Sequence, residues 1–223
     1  MIKNIEKYYD LISQKYDEAT SSFDWIVPKE IESILEKYNL IKDGLEVLDM
    51  GIGTGQTVEF LQNKNCNIYG VDISEKMLKI VKDKYPDLKT FRYDICDKLN
   101  NLFGKDKFNL VIAGGVLEFI KDIDGVLRDV HALLKEDSYF IFTYEILITR
   151  HEIQKNKEQY ISEGYKENND LENEFKLYRR TKEDVEQLLT NNAFKIIEHR
   201  HIKAFSKTEK KIPVYYGIVL VKK

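Results

Sequence analysis

Cysteine is scarce in this chain of 223 residues, and the two that it has, Cys66 and Cys96, lie thirty positions apart in no CxxC pattern. No histidine stands near either of them, so the sequence predicts neither a metal site nor a disulfide framework. Charge of one sign is also lacking. With 35 Lys and Arg against 38 Asp and Glu, nothing draws the whole molecule to nucleic acid or an anionic membrane.

Long apolar runs are missing as well. No stretch approaches the length that spans a bilayer, and the first ten residues, MIKNIEKYYD, lack the apolar run of a signal peptide. We therefore expect a cytoplasmic protein that has no membrane or nucleic-acid partner.

Strands and helices alternate through the middle of the chain. Residues 45–50 form a short apolar run that ends before a glycine, which indicates a buried strand. Ser74 is placed to cap a helix over 75–85. The same alternation predicts further strands at 67–72, 88–93, 107–113 and 138–144, and further helices at 54–64 and 123–134. Short connections between such elements predict a parallel sheet with helices on both faces.

The C-terminal part follows another pattern. A helix over 181–191, capped by Thr181, precedes strands at 194–203 and 214–222, which have no helix between them. Two such strands are best paired as antiparallel neighbours at one edge of the sheet. We predict an α/β fold with a seven-stranded, mostly parallel sheet, one antiparallel edge strand and helices on both faces.

The most informative stretch is VLDMGIGTGQT, residues 47–57, in which a strand ends in Asp49 and the chain turns through Gly51, Gly53 and Gly55. Glycines let the backbone approach a ligand, and ligands bind at the carboxyl ends of strands in open α/β sheets. The spacing is G-x-G-x-G, whereas a dinucleotide fingerprint requires G-x-G-x-x-G. An acid just before the turn suits an ammonium better than a pyrophosphate. S-adenosylmethionine has an ammonium and a sulfonium but no phosphate, so we expect it as the cofactor.

Two further acids follow later strands. Asp72 ends the second strand, where a carboxylate can accept both ribose hydroxyls of a nucleoside. Ile73 and Met77 are candidates for an apolar face against adenine, although Met77 alone is equally typical of a helix core. Asp94 follows the third strand and is a candidate acceptor for the adenine amine, with Ile95 beside it; the alternative for Asp94 is a turn residue.

At this point the chain resembles the class I S-adenosylmethionine-dependent methyltransferases, especially the small enzymes that methylate small molecules. VLDMGIGTG is similar to their first motif, YGVDIS to their second, and FNLVIAGGVLEFIKD, which contains Gly114, to their fourth-strand motif. The early YYDLISQKYDEAT resembles the N-terminal lid of the family, which implies that Tyr9 and Tyr16 lie beside the cofactor. As bare sequence these two tyrosines are equally compatible with helix packing. Where many relatives carry a histidine after VLE, this chain has Phe119, so a histidine base is absent there.

Methyl transfer from a sulfonium is an in-line displacement, for which holding the nucleophile close to the methyl carbon supplies much of the rate. A hydroxyl acceptor usually also requires a base. The candidate bases are Tyr144 and Glu145, at the end of the fifth strand, and His151. For each, an ordinary edge or loop position is the alternative. AGGVLEF is not the Asn/Asp-Pro-Pro-Tyr of enzymes that methylate nucleic-acid amines, which leaves a small-molecule or peptide acceptor with N or O as nucleophile. The rival interpretations are a non-catalytic relative of this fold and, with less support, a nicotinamide-dependent oxidoreductase.

We therefore expect one methyltransferase domain over 1–223, with four parts: a helical N-terminal lid at 1–40, the cofactor-binding core at 41–147, a polar insert at 148–180, and the closing helix and edge strands at 181–223. The insert is either a cover for the acceptor or a solvated loop. As a cover, it would close the acceptor pocket together with residues 1–25. Arg179 and Arg180 at its end are candidates to grip an anionic or aromatic group, and surface charges are the alternative.

Overall fold

The computed structural model describes residues 2–62, 64–161, 175–207 and 211–223, so the middle of the predicted insert, residues 162–174, lies outside the described residues. The strands are β1 (Glu46–Met50), β2 (Asn67–Asp72), β3 (Lys89–Arg92), β4 (Phe108–Ala113), β5 (Leu134–Glu145), β6 (Glu158–Ile161), β7 (Phe175–Tyr178), β8 (Lys195–Lys207) and β9 (Ile212–Lys222). The helices are α1 (Ile2–Ile12), α2 (Tyr16–Ser22), α3 (Val27–Lys37), α4 (Glu75–Lys84), α5 (Asn100–Phe103), α6 (Asp124–Leu133) and α7 (Lys182–Asn191).

Seven strands form one sheet in the order β3-β2-β1-β4-β5-β9-β8. The first five run parallel to one another, and β9 pairs antiparallel with both β5 and β8. The predicted fold is therefore confirmed. The reversed strand β9 lies one place inside the edge, and β8 forms the edge itself. Because β8 and β9 are connected within only a few residues, they can pair only as a hairpin, which reverses β9.

Hydrophobic side chains pack on both faces of the sheet. Along β1, Val47 belongs to the core cluster that contains α3 and α4, whereas Leu48 belongs to the cluster that contains α6 and α7. This alternation follows from the two-residue period of a strand. Both faces are thus covered, as parallel strands require.

One predicted helix is wrong. Residues 54–64 form turns and a short 3₁₀ helix at Glu59–Leu61 in place of an α-helix. The backbone bonds here span three residues, as from Val58 N–H to the Gly55 carbonyl at 3.3 Å and from Leu61 N–H to the Val58 carbonyl at 2.9 Å. Gly55 has φ of 87°, which no right-handed helix contains.

The insert contains an antiparallel pair of its own, β6 with β7, which the sequence did not predict. None of the helices in the described part of the chain has the length and apolar character needed to cross a bilayer. The described residues also contain no group of three or more His, Cys, Asp or Glu arranged to hold a metal ion.

Candidate functional site

A cavity opens over the carboxyl ends of β1, β2, β3 and β4, which we call the first cavity. All but two of the predicted cofactor residues line it: Tyr9, Tyr16, Gly51, Gly53, Asp72, Ile73, Met77, Asp94, Ile95 and Gly114. The parallel sheet brings them together because its strands all end at this edge. The exceptions among the described residues are Asp49 and Gly55.

The glycine turn after β1 forms the floor of the first cavity. Gly51 N–H and Ile52 N–H both donate to the Val71 carbonyl, at 2.8 and 3.0 Å, which fixes the turn against β2. A Cβ placed on Gly51 would meet Val116 Cγ2 at 2.7 Å, so packing requires glycine there. At Gly53, where φ is 53°, no described atom outside the two neighbouring residues lies within 4 Å of the same Cβ position. The backbone of Gly53 is therefore exposed toward space that a ligand could fill.

Asp72 is held rigidly beside this turn. Its Oδ2 accepts a bond from Gly53 N–H at 2.8 Å, and its Oδ1 accepts one from Ser74 N–H at 2.8 Å. Burial raises the pKa of Asp72, while these backbone donors act against the rise. Each oxygen keeps a lone pair, so the side chain can still accept hydrogen bonds from two hydroxyls.

Asp49 lies beneath the turn and is fully buried, so it does not form part of the cavity wall. Its Oδ2 accepts a bond from the Thr57 hydroxyl, whereas Oδ1 has no partner among the described residues. Burial raises the pKa of Asp49 to about 7, and the neighbouring Asp72 adds to the rise. A buried, unpartnered carboxylate oxygen is unfavourable unless a donor or cation reaches it.

Gly55 turns away from the first cavity. A Cβ there would meet Val81 Cγ2 at 2.7 Å and the Tyr85 ring at 2.9 Å, so this glycine allows α4 to pack against the turn. At the opposite end of the cavity, Asp94 Oδ1 accepts a bond from Cys96 N–H at 2.9 Å. Asp94 is thus both a turn residue and a lining residue, since the two interpretations are compatible.

The N-terminal segment covers the first cavity. Asp10 Oδ1 accepts from the Ser74 hydroxyl at 2.6 Å, and Asp17 contacts Thr54 Oγ1 and Lys84 Nζ, both at 2.5 Å. These contacts connect α1 and α2 to the glycine turn and to α4. They place Tyr9 and Tyr16 over the cavity, with ring centroids 6.1 Å apart. Burial raises the pKa of both tyrosines, so both hydroxyls stay protonated at neutral pH.

A second cavity adjoins the first, and Tyr9 and Phe119 line both. Phe119 lies 5.9 Å from the Tyr9 ring and 5.6 Å from the Phe175 ring, centroid to centroid. The other residues that line the second cavity are Tyr8, Phe23, Glu145, Ile153, Gln159, Phe175, Leu177, Arg179, Phe205, Lys207, Val214 and Tyr216. Residues 1–25 and the described parts of the insert thus both contribute to its walls.

Arg179 and Arg180 are buried, so neither is a surface charge. Arg179 Nε donates to Glu145 Oε1 at 2.5 Å, and its other nitrogens donate to the Asn156 carbonyl and Gln159. Arg180 donates to the carbonyls of Tyr178 and of the loop after β4, which are those of Leu117, Ile120 and Lys121. Their donors are used within the protein, which leaves little for the predicted grip on a ligand.

Of the three candidate bases, only Glu145 lines either of these two cavities. Tyr144 precedes it on β5 and therefore points to the other face, where its hydroxyl bonds His199 Nε2 at 2.8 Å. His151 lines neither cavity among the described residues; its Nδ1 accepts from the N–H groups of Ile153 and Gln154 at 3.4 and 3.3 Å. The positions of Tyr144 and His151 correct their selection as bases, because neither side chain reaches the site.

Among the side chains at or beside the two cavities, the sequence analysis did not single out the buried pair formed by Glu118 and Tyr216. Glu118 is 1% exposed and accepts a bond at Oε1 from the Tyr216 hydroxyl at 2.8 Å. Tyr216 lies on β9 and lines the second cavity. The residues are 98 positions apart, so only the pairing of β9 with β5 brings them together. The one available signal in the sequence was the single charged residue, Glu118, in the loop AGGVLEF.

Comparison with known proteins identifies a methyltransferase domain within the chain. Residues 48–142 match the model of a methyltransferase domain. An uncharacterized protein from Methanocaldococcus jannaschii is 34% identical over 149 residues, which cover 62% of this chain and 51% of that protein. A malonyl-[acyl-carrier protein] O-methyltransferase from Halorhodospira halophila is 25% identical over 154 residues, which cover 67% of this chain and 50% of that protein. The chain thus spans about half the length of the curated relatives that it matches.

One solved structure illustrates the likeness in fold. It is the 1,6-didemethyltoxoflavin-N1-methyltransferase from Burkholderia thailandensis, with bound 1,6-didemethyltoxoflavin and S-adenosylhomocysteine. The TM-score is 0.67 at 16% sequence identity, and the match covers 96% of this chain and 85% of that one. At this identity the likeness concerns the fold alone.

Proposed function

By its methyltransferase domain and its fold, the chain belongs to the class I S-adenosylmethionine-dependent methyltransferases, and we propose that it transfers a methyl group to a small-molecule acceptor. The first cavity holds the cofactor and the second holds the acceptor. The observation that carries this proposal is the meeting of the two cavities at Tyr9 and Phe119. A methyl donor and its acceptor must lie end to end, and two adjoining cavities provide that arrangement.

The residues of the first cavity fit S-adenosylmethionine. Asp72 would accept the two ribose hydroxyls, and the open space beside Gly53 would admit the rest of the nucleoside. Asp49 lies beneath the glycine turn, outside the cavity wall, and its unpartnered Oδ1 would favour an amino-acid ammonium bound above that turn. Asp94 and Ile95 line the end suited to adenine. When bound, the cofactor supplies an electrophilic methyl group on a positively charged sulfur.

The protein itself would position the acceptor and exclude water. Aromatic and aliphatic side chains form most of the second cavity, which favours a flat, apolar molecule over a long peptide. Tyr8, Tyr9 and Phe23 come from the N-terminal segment, and Phe175 and Leu177 come from the insert. We propose that these two segments act as a lid, which opens for the acceptor and closes over it.

Calorimetry with S-adenosylhomocysteine tests the cofactor part of the proposal. We expect saturable binding of S-adenosylhomocysteine and none of NAD, because the turn lacks the dinucleotide spacing. Tight NAD binding in place of S-adenosylhomocysteine would overturn it. Binding without methyl transfer to any small-molecule acceptor would instead support a non-catalytic role.

Hydrogen exchange tests the lid. Amides in residues 5–25 and 175–180 should become better protected when S-adenosylhomocysteine is added. Amides of β4, deep in the sheet, serve as the internal control. Equal protection of the two segments in both states would count against a lid.

A further inference from the structure

The carboxylate of Glu118 is buried with one oxygen unused. Oε1 accepts the bond from the Tyr216 hydroxyl, whereas Oε2 has no partner among the described residues. A buried polar atom without a partner is unfavourable, because it has lost its hydrogen bonds to water without gaining others. Such an unpaired oxygen is uncommon in a folded protein, and a role in catalysis is one explanation for it.

The Glu118–Tyr216 pair lies at the junction of the two cavities. Tyr216 lines the second cavity, and Phe119, next to Glu118 in the chain, lines both. On the side of the first cavity, Glu118 Oε1 is 3.9 Å from the Cβ position of Gly115, a lining residue. The pair is therefore close to the place where acceptor and methyl group would meet.

The groups around Glu118 leave it able to take up a proton near neutral pH. Burial raises the pKa of Glu118 to about 7; Glu145 on β5 adds to the rise, and Tyr216 and Arg180 oppose it. Tyr9 and Tyr16 of the N-terminal segment also interact electrostatically with Glu118. Burial raises the pKa of Tyr216 far above its usual value, so this phenol does not ionise by itself.

The charges around the second cavity balance. Among the described lining residues the charged ones are Glu145, Arg179 and Lys207, of which the first two are paired at 2.5 Å. When Glu118, which lies behind the cavity wall, is included, two acidic side chains are matched by two basic ones. Most other lining residues are aromatic or aliphatic. This environment favours a neutral, flat molecule, because a charged one would be desolvated without a counter-charge of its own.

On the basis of the function proposed above, we propose that the acceptor is a neutral aromatic hydroxyl compound, that Tyr216 is the catalytic residue that receives its proton, and that Glu118 is the final proton acceptor. With S-adenosylmethionine bound, a lone pair of the acceptor oxygen would form the new bond to the methyl carbon as the bond from that carbon to sulfur breaks, and the electron pair of the broken bond would stay on sulfur. The acceptor O–H proton moves to Tyr216 Oη as the phenolic proton of Tyr216 moves to Glu118. The phenol ends neutral and the glutamate ends as a carboxylic acid, so charge and atoms balance.

The test uses the full chain and two aromatic hydroxyl probes, chosen because they differ in whether the hydroxyl is ionised at pH 7. The hydroxyl of 2-naphthol is neutral at pH 7, whereas that of pentafluorophenol is already ionised. We expect wild-type protein to methylate 2-naphthol, and E118Q and Y216F to lower kcat for it by about 100-fold, the contribution of a general base. With pentafluorophenol the same variants should lose less than about threefold, because no proton has to be removed. The limb of the wild-type pH profile that rises toward pH 7 should disappear in E118Q.

Binding and matched controls separate chemistry from structure. Calorimetry should give affinities of E118Q for S-adenosylhomocysteine and for 2-naphthol within about threefold of wild type, since Gln keeps the shape of Glu. Y215F, next to Tyr216 but on the opposite face of β9, and E136Q, at an 85% exposed position, should behave as wild type.

Two outcomes would overturn the assignment. One is equal losses with both phenols, which would mean that the pair has only a structural role. The other is a wild-type protein that binds S-adenosylhomocysteine but neither binds nor methylates 2-naphthol. Failure to bind S-adenosylhomocysteine would be a different result, because it would refute the proposed function itself.

Discussion

Gly53→Ala is the substitution that best separates an effect on cofactor binding from an effect on the stability of the fold. The Cβ of alanine would enter space in which no described atom outside the two neighbouring residues lies within 4 Å. The hydrogen bond from the residue 53 amide to Asp72 would be preserved, because it involves only the backbone N–H. The one intrinsic penalty is backbone strain, since alanine at a φ of 53° costs about 1–2 kcal/mol.

That strain can be matched by a control in the same chain. Gly44 also has a positive φ, 74°, and no described atom outside its two neighbouring residues lies within 4 Å of its Cβ position. It lines neither cavity and lies in the turn before β1. G44A and G53A should therefore lose similar stability and melt about 2–8 °C below wild type. Only G53A should lose affinity for S-adenosylhomocysteine, by about 10- to 100-fold, because a methyl group in ligand space costs about 1–3 kcal/mol.

Thermal melts and calorimetry on the three proteins are sufficient for the experiment. A G53A protein that binds S-adenosylhomocysteine as tightly as G44A does would refute the placement of the cofactor over this turn. A G53A protein that fails to fold while G44A folds would instead show that the space beside Gly53 belongs to the fold.

Three further predictions concern single side chains. Asp72→Ala should weaken S-adenosylhomocysteine binding by about 1.5–3 kcal/mol in calorimetry, through loss of charged hydrogen bonds to the ribose; unchanged affinity in a folded variant would contradict the assignment. Asp49, with its pKa raised to about 7, is mostly protonated below that pH. Because a cationic ammonium favours the ionised form, affinity for S-adenosylhomocysteine should rise by up to about tenfold per pH unit from pH 5 to 7 and level off above it, and D49N should remove this dependence. Arg180→Met should lower the free energy of unfolding in urea by about 3 kcal/mol, since buried carbonyls lose their donor. Arg128→Met, at an exposed i,i+4 pair, should change it by less than about 0.5 kcal/mol, and equal losses in the two variants would mean that the Arg180 contacts contribute little.

The parallel core could be predicted because its signals are local. Each buried strand is an apolar run, and each helix that was correctly placed has an amphipathic period or a capping residue, as at Ser74. The cofactor-side residues followed from the same logic, since residues just after parallel strands must meet at one sheet edge. The prediction of a helix over 54–64 was wrong for a physical reason, because the positive φ at Gly55 and the packing of this glycine against Val81 interrupt a helix there. Helix propensity alone reveals neither feature.

The acceptor side depended on contacts that no local pattern encodes. Glu118 and Tyr216 are far apart in sequence and meet through the strand order β4-β5-β9. Glu145 meets Arg179 where the chain after β5 forms a bridge between Ile146 and Arg180. Burial then determined the raised pKa of Glu118, because the same side chain would be an ordinary surface acid if water reached it. The sequence by itself thus determined the fold class and the carboxyl ends where a nucleoside cofactor would lie. Tertiary structure decided which side chains face the second cavity, because facing and burial depend on long-range packing.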